Sequence, residues 1–190
     1  MGKFNTPSAR EMAVINNVFH TTWMSFFSSV ARKIGSDRKY SLGGALSSNT
    51  TDVGNVGSGE DNLMAYTLEK NSLIEVGDMV EVTAFGTQAA NANNKTIKLY
   101  LGATELFDTG AVASSAKDWE LTCKIIRTGP ATQDCITTFN GDTVLVTQTT
   151  TYIAGTEDLT TALIIKCTGE ATANNDIIQK GLFIKLFPTT

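Results

Sequence analysis

From residue 63 onward, apolar residues recur every second position in short runs, and turn residues punctuate the chain every ten or so residues. That period places alternate side chains on opposite faces of a pleated strand and does not fit a helix. Val80, Val82 and Ala84 share one face, as do Ile97, Leu99 and Leu101, opposite Thr96, Lys98 and Tyr100. Trp119, Leu121, Cys123 and Ile125 make another such face. The pattern predicts strands at 63–69, 79–86, 95–101, 104–107, 119–127, 134–139, 143–150, 161–168 and 181–187. Asn140-Gly141-Asp142 reads as a hairpin turn between two of them. Eight or nine antiparallel strands over residues 63–190 imply a two-sheet β-sandwich, best matched by a jelly roll. Threonine, at 28 residues, supplies much of the polar surface where charged residues reach only 18%, and its branched side chain favours strands.

The chain before that point is different. Met12, Ile15, Phe19, Trp23, Phe26, Val30 and Ile34 are spaced 3, 4, 4, 3, 4 and 4 apart, one stripe on the face of a helix over 8–34. Ser8 and Glu11 form a capping box at its start, and Arg32, Lys33 and Gly35 suit its end. Asn16, Asn17, Thr21, Thr22 and several serines are mediocre helix formers, so this helix needs partners in water. The stripe is read as the anchoring face of an N-terminal arm, residues 1–38. A helix lying on its own domain fits the same pattern. Residues 39–62, rich in Gly, Ser, Asn and Thr, read as a linker or extended loop.

Charge divides the chain the same way. Residues 1–40 carry six basic and two acidic side chains, a net of +4, and the rest carry nine and seventeen, a net of −8. An acidic β body repels phosphate and excludes nucleic acid as its partner. The basic arm either docks on an acidic protein surface or is a solvated helix end. No apolar run approaches the length of a membrane span, so no membrane partner is expected. MGKFNTPSAR lacks the apolar core of a secretory leader. Cys123 and Cys167 occupy apolar positions and Cys135 leaves the count odd, so free thiols in a reducing compartment are expected.

Chemistry is hard to find. His20 is the single histidine, too few for a His-rich metal site, and no serine elbow, phosphate loop, dinucleotide fingerprint or zinc motif accompanies it. The carboxylate pairs Glu60-Asp61, Glu105 with Asp108, and Asp118 with Glu120 are what chance produces among seventeen acids. No catalytic residue, metal ligand or cofactor is assigned, and the chain is read as non-enzymatic. The 52–62 loop holds oxygen ligands without the spacing of a calcium loop. Trp119, Tyr100, Tyr66 and Tyr152 could stack on a sugar, so carbohydrate stays open as a partner.

The strand at 181–187 argues for self-association. Leu182, Ile184 and Leu186 fill one face, while Phe183 and Phe187 make the opposite face apolar too, interrupted by Lys185. A second copy covering those two rings is the simplest way to keep them from water. A loop of the same chain would do the same.

Asn71-Ser72-Leu73, Val76 to Gly86 (VGDMVEVTAFG), Asn91 to Gly102 (NANNKTIKLYLG), Trp119 to Gly129 (WELTCKIIRTG), Leu163 to Gly169 and Asn174 to Ile177 together resemble the jelly-roll structural proteins of tailed-phage virions. The resemblance spans roughly residues 62–187 and omits the helix. It implies a virion component assembled in the host cytoplasm: a capsid decoration or cement protein, a head fibre, or a tail or fibre module that reads host carbohydrate. It also implies a homotrimer, with capsid or tail proteins as further partners.

Overall fold

The computed structural model describes residues 44–113, 117–141 and 148–189. They form twelve strands: β1 (Gly44–Asn49), β2 (Val53–Gly54), β3 (Glu60–Leu68), β4 (Met79–Gln88), β5 (Asn94–Leu101), β6 (Thr104–Asp108), β7 (Val112–Ala113), β8 (Lys117–Gly129), β9 (Thr132–Gly141), β10 (Gln148–Gly155), β11 (Leu163–Ala171) and β12 (Ile177–Phe187). All pairings are antiparallel.

The strands make two sheets. The wide one runs β1-β12-β4-β8-β9-β10, with β2 also on β12, and the narrow one runs β3-β11-β5-β6, with β7 also on β5. The chain crosses between sheets at β2–β3, β3–β4, β4–β5, β7–β8, β10–β11 and β11–β12. It stays within a sheet at the hairpins β5–β6, β8–β9 and β9–β10. Leu101 pairs with Thr104, so Gly102-Ala103 is a two-residue turn. Gly102 takes φ +58° there, a left-handed conformation that glycine adopts without a Cβ penalty.

The alternation works as the sequence predicts. Val80, Val82, Ala84, Ile97, Leu99, Leu101, Leu121, Cys123, Ile125, Leu182 and Ile184 are buried between the sheets. Each fully buried aliphatic chain contributes roughly 1.5–3 kcal/mol of transfer free energy. Trp119 and Cys135 join this core, as does Phe139, which stacks on Phe107 at 5.3 Å.

Three expectations change. The 39–62 segment is not a plain linker: β1, β2 and the first residues of β3 fall within it, residues 39–43 lying outside the described residues. GALSSN has little intrinsic strand preference, and its conformation comes from pairing along β12. The strand expected at 143–150 is seen as Gln148–Gly155, while 142–147 lie outside the described residues. Asn140 and Gly141 belong to β9, and Asn140 pairs with Gln148, so they are not the centre of a tight turn. The helix expected over 8–34, with Met12, Ile15, Phe19, Trp23, Phe26, Val30 and Ile34, lies outside the described residues.

Candidate functional site

The outer face of the wide sheet carries the most unusual chemistry. Register puts Phe187 beside Met79 and Met79 beside Ile126, so three apolar side chains form a row across β12, β4 and β8. A second row reads Lys185, Glu81, Lys124, Ile136 and Tyr152. Its charges alternate in sign on β12, β4 and β8. At β9 and β10 it becomes apolar, and there Ile136 and Tyr152 are 40% and 59% exposed. A third row is Phe183, Thr83, Thr122, Thr138 and Thr150.

Phe183 and Phe187 sit on this face as the sequence predicts, with Leu182, Ile184 and Leu186 turned into the core. Neither ring stands free. Phe183 stacks on Phe85, centroids 5.8 Å apart and planes 15° off parallel, and Lys185 Nζ lies 4.6 Å from the Phe187 ring centre. Both rings are half-buried, each with a partner on the same sheet. Gly181 makes the stack possible, because a Cβ there would meet the Phe85 ring at 2.5 Å and the Phe183 ring at 3.2 Å.

Beside Phe85 the face dips into a depression of about 390 Å³, lined among others by Phe85, Thr87, Asp118, Glu120, Asn140 and Lys180. Lys180 is held by Asp52 at 2.7 Å. Asp118 and Glu120, alternate residues of one strand, thus share this hollow.

Glu60, Asp61, Glu105 and Asp108, the other paired carboxylates of the sequence, are engaged within the chain. On the narrow sheet Lys98 lies 3.7 Å from Glu60, 3.4 Å from Glu105 and 3.6 Å from Asp108. Burial favours a neutral Lys98, but Asp108, Tyr100, Glu60 and Glu105 outweigh it and raise its pKa. Burial, then the bond and charge of Glu60, push the Tyr100 hydroxyl up to about 12. In the loop weighed for calcium, Asp61 accepts the Val56 N–H, Asp52 holds Lys180 and Asn55 bridges to Ala173 and Ile177.

The aromatics considered as a sugar platform do not converge. Trp119 is 3% exposed in the core. Tyr66 packs against the core from β3, Tyr100 lies on the narrow sheet under Lys166, and Tyr152 donates to Asp134 on the wide sheet. Met79, Phe85, Ile126 and Ile136 are the face residues that the sequence reading missed. Met79 and Phe85 are in the outward phase of β4, where the alternation alone marks them as apolar residues out of place.

No family model matches the chain, and no curated protein matches it. Among solved structures it is similar to the infectious bursal disease virus VP2 subviral particle, at 10% identity and a TM-score of 0.34, over 74% of this chain and 31% of that one. It is also similar to the structure of the infectious bursal disease virus Gx strain, at 11% identity and a TM-score of 0.32, over 76% and 33%. The chain spans about a third of the length of those chains.

Proposed function

We propose that this chain is a non-enzymatic virion structural protein of the capsid decoration, cement or head-fibre kind. In this reading it is a jelly roll that joins copies of itself through the outer face of the wide sheet and attaches to a larger particle through residues 1–38. The observation that carries the reading is the apolar content of that face. Antiparallel sandwiches turn polar residues outward. Here Phe187, Met79 and Ile126 form one row, the Phe85–Phe183 stack lies on the far side of the Lys185-Glu81-Lys124 row, and Ile136 and Tyr152 make the end of that charged row apolar. Cyclic symmetry lets each copy bury the same strip against a neighbour, and three copies is the number that the sequence resemblance implies.

The strand order supports the same reading. β1-β12-β4-β8 facing β3-β11-β5-β6 follows the two Greek keys of a jelly roll, with the β9–β10 hairpin added to the wide sheet. Light scattering on the full chain at micromolar concentration tests it. The expected mass is a whole multiple of three chains, and F183D/F187D is expected to abolish that threefold multiple while the circular dichroism stays that of a sandwich. A monomeric wild type, or a double variant that unfolds outright, overturns the assignment of this face. Deleting residues 1–38 is expected to abolish incorporation into particles, and normal incorporation would remove the anchoring role.

A second reading is a receptor-binding module for host carbohydrate, favoured by the depression beside Phe85. An apolar ring flanked by Asp118, Glu120, Asn140 and Lys180 offers a stacking surface and groups that bond hydroxyls. A glycan array decides it: absence of binding at millimolar sensitivity removes the reading.

A further inference from the structure

A sheet edge is a row of unpaired N–H and C=O groups, and sandwiches protect such edges with bulges, charges or short strands. Three of the four edges here are protected in those ways. β1 has a register shift between Ala45 and Ser47. β3 opens with Glu60 and Asp61 and meets β11 through a shift at Cys167/Thr168. β6 has five residues, carries Glu105 and Asp108, and sits on a shift at Leu99/Tyr100.

β10 has none of these. It runs eight residues, QTTTYIAG, without a lysine, an acid or a proline, and it pairs with β9 from Gln148 to Gly155 with no register shift. Among the described residues nothing pairs with its other side. The strand is also rich in threonine, with Tyr152 and Ile153 beside it, residues suited to cross-strand packing.

We infer that β10 pairs with β10 of a second copy of this chain, antiparallel across a two-fold axis centred on Thr151. This rests on the self-association proposed above and adds a second contact to it, distinct from the Phe183 and Phe187 strip. The occupant is a second copy because the strand matches itself. Reversing it about Thr151 sets Thr150 opposite Tyr152 twice and Thr149 opposite Ile153 twice, branched and aromatic residues on matching faces of the pleat. A chain of net charge −4 repels its copies over most of its surface, whereas this strand has no ionised side chain to bring against itself. An isologous contact satisfies both edges at once and leaves none free for a third copy. The wide sheets of the two copies then run on as one, and the row through Thr83, Thr122, Thr138 and Thr150 continues into the partner.

The test uses the full chain and two double variants. Thr150 and Tyr152 are exposed on the outer face, so T150K/Y152K keeps the fold while setting lysines opposite each other across the pairing. With both contacts the wild type is expected at six chains by light scattering, and T150K/Y152K is expected to fall to three and to lose slow hydrogen exchange at alternate β10 amides. F183D/F187D is expected to keep that slow exchange and to give a dimer held by the β10 pairing alone. Fast exchange along β10 in the wild-type oligomer overturns the inference, as does a T150K/Y152K variant of unchanged mass. An oligomer that falls apart with F183D/F187D and ignores T150K/Y152K overturns the edge pairing alone. A wild-type monomer overturns the self-association beneath it as well.

Discussion

Asp78 ties the last described residue to the loop before β4: its Oδ1 accepts the Thr189 N–H at 2.8 Å and the Thr189 hydroxyl at 3.0 Å. Its Oδ2 accepts the N–H groups of Ile74 and Glu75 at 2.8 and 2.9 Å. Burial alone would raise this carboxyl, but the bonds from Glu75, Thr189 and Ile74 outweigh it and hold the pKa below its ordinary 3.8.

Asp78→Ala leaves those donors unpaired in a buried site and is expected to cost about 3 kcal/mol. Asp78→Asn keeps the shape and is expected to cost about half that, read from urea midpoints. The pH dependence follows from the depressed pKa. The stabilisation is fully present above about pH 4 and is lost as pH falls through the lower folded value. Wild type and Asp78→Asn should therefore converge in stability as pH falls below about 4, through the lowered folded value. Curves that stay parallel as pH falls below about 4 would show that the Asp78 charge contributes nothing.

A glycine tests the register between β4 and β12. A Cβ on Gly86 would lie 1.9 Å from the Ile178 carbonyl oxygen, which is backbone and cannot swing aside. Gly86→Ala is expected to destabilise by more than about 2 kcal/mol, since the strands must part locally. Gly59→Ala is the control, with no atom within 4 Å of the added carbon. It should leave the midpoint unchanged or raise it by up to about 0.5 kcal/mol, through the unfolded state.

Burial pushes the thiols of Cys123, Cys135 and Cys167 up to about 12, the Thr137 hydroxyl offsetting part of this at Cys123. A thiol reacts as its thiolate. At pH 8 the native chain should show no reaction with an aromatic disulfide reagent over an hour, and three equivalents should react at once in guanidinium. Rapid labelling of the native chain would show that the sandwich opens far more readily than its packing implies.

The inner face was legible because one number, the period of two, governs it. Val80 to Ala84, Ile97 to Leu101, Trp119 to Ile125 and Leu182 to Leu186 could be assigned without knowing which strands touch. β1 could not be read that way, since Gly44–Asn49 has no alternation and owes its strand conformation to β12. The outer apolar row was hidden for a different reason. Phe187, Met79 and Ile126 are far apart in sequence, and a one-residue slip in either pairing would scatter them to opposite faces. The bonds of Asp176 to Asn91 and Asn93, at 2.6 and 2.8 Å, depend on the same long-range registers. The apolar stripe from Met12 to Ile34 was the clearest periodic signal before the strands, and it lies outside the described residues.

Lys98 offers the last test, on the narrow sheet. Its side chain is 19% exposed and faces Glu60, Glu105 and Asp108 within 3.7 Å. An exposed pair contributes little because water screens it, but one cation shared by three partly covered carboxylates is a network, and removing its centre leaves like charges together. Lys98→Met keeps the aliphatic stem and removes the charge. The expected cost is about 1–2 kcal/mol at pH 7, shrinking as salt rises. Burial would raise the Glu60 carboxyl, and the Thr168 and Tyr100 hydroxyls, then Lys98 and Lys166, hold it below its ordinary 4.5. The Glu60 share of the network is therefore present above about pH 4.5 and lost as pH falls through its lower folded value. The gap between wild type and Lys98→Met should close over that window in acid, and close in 1 M salt at pH 7. A gap that persists in both conditions would show that the charge network contributes nothing to the loss.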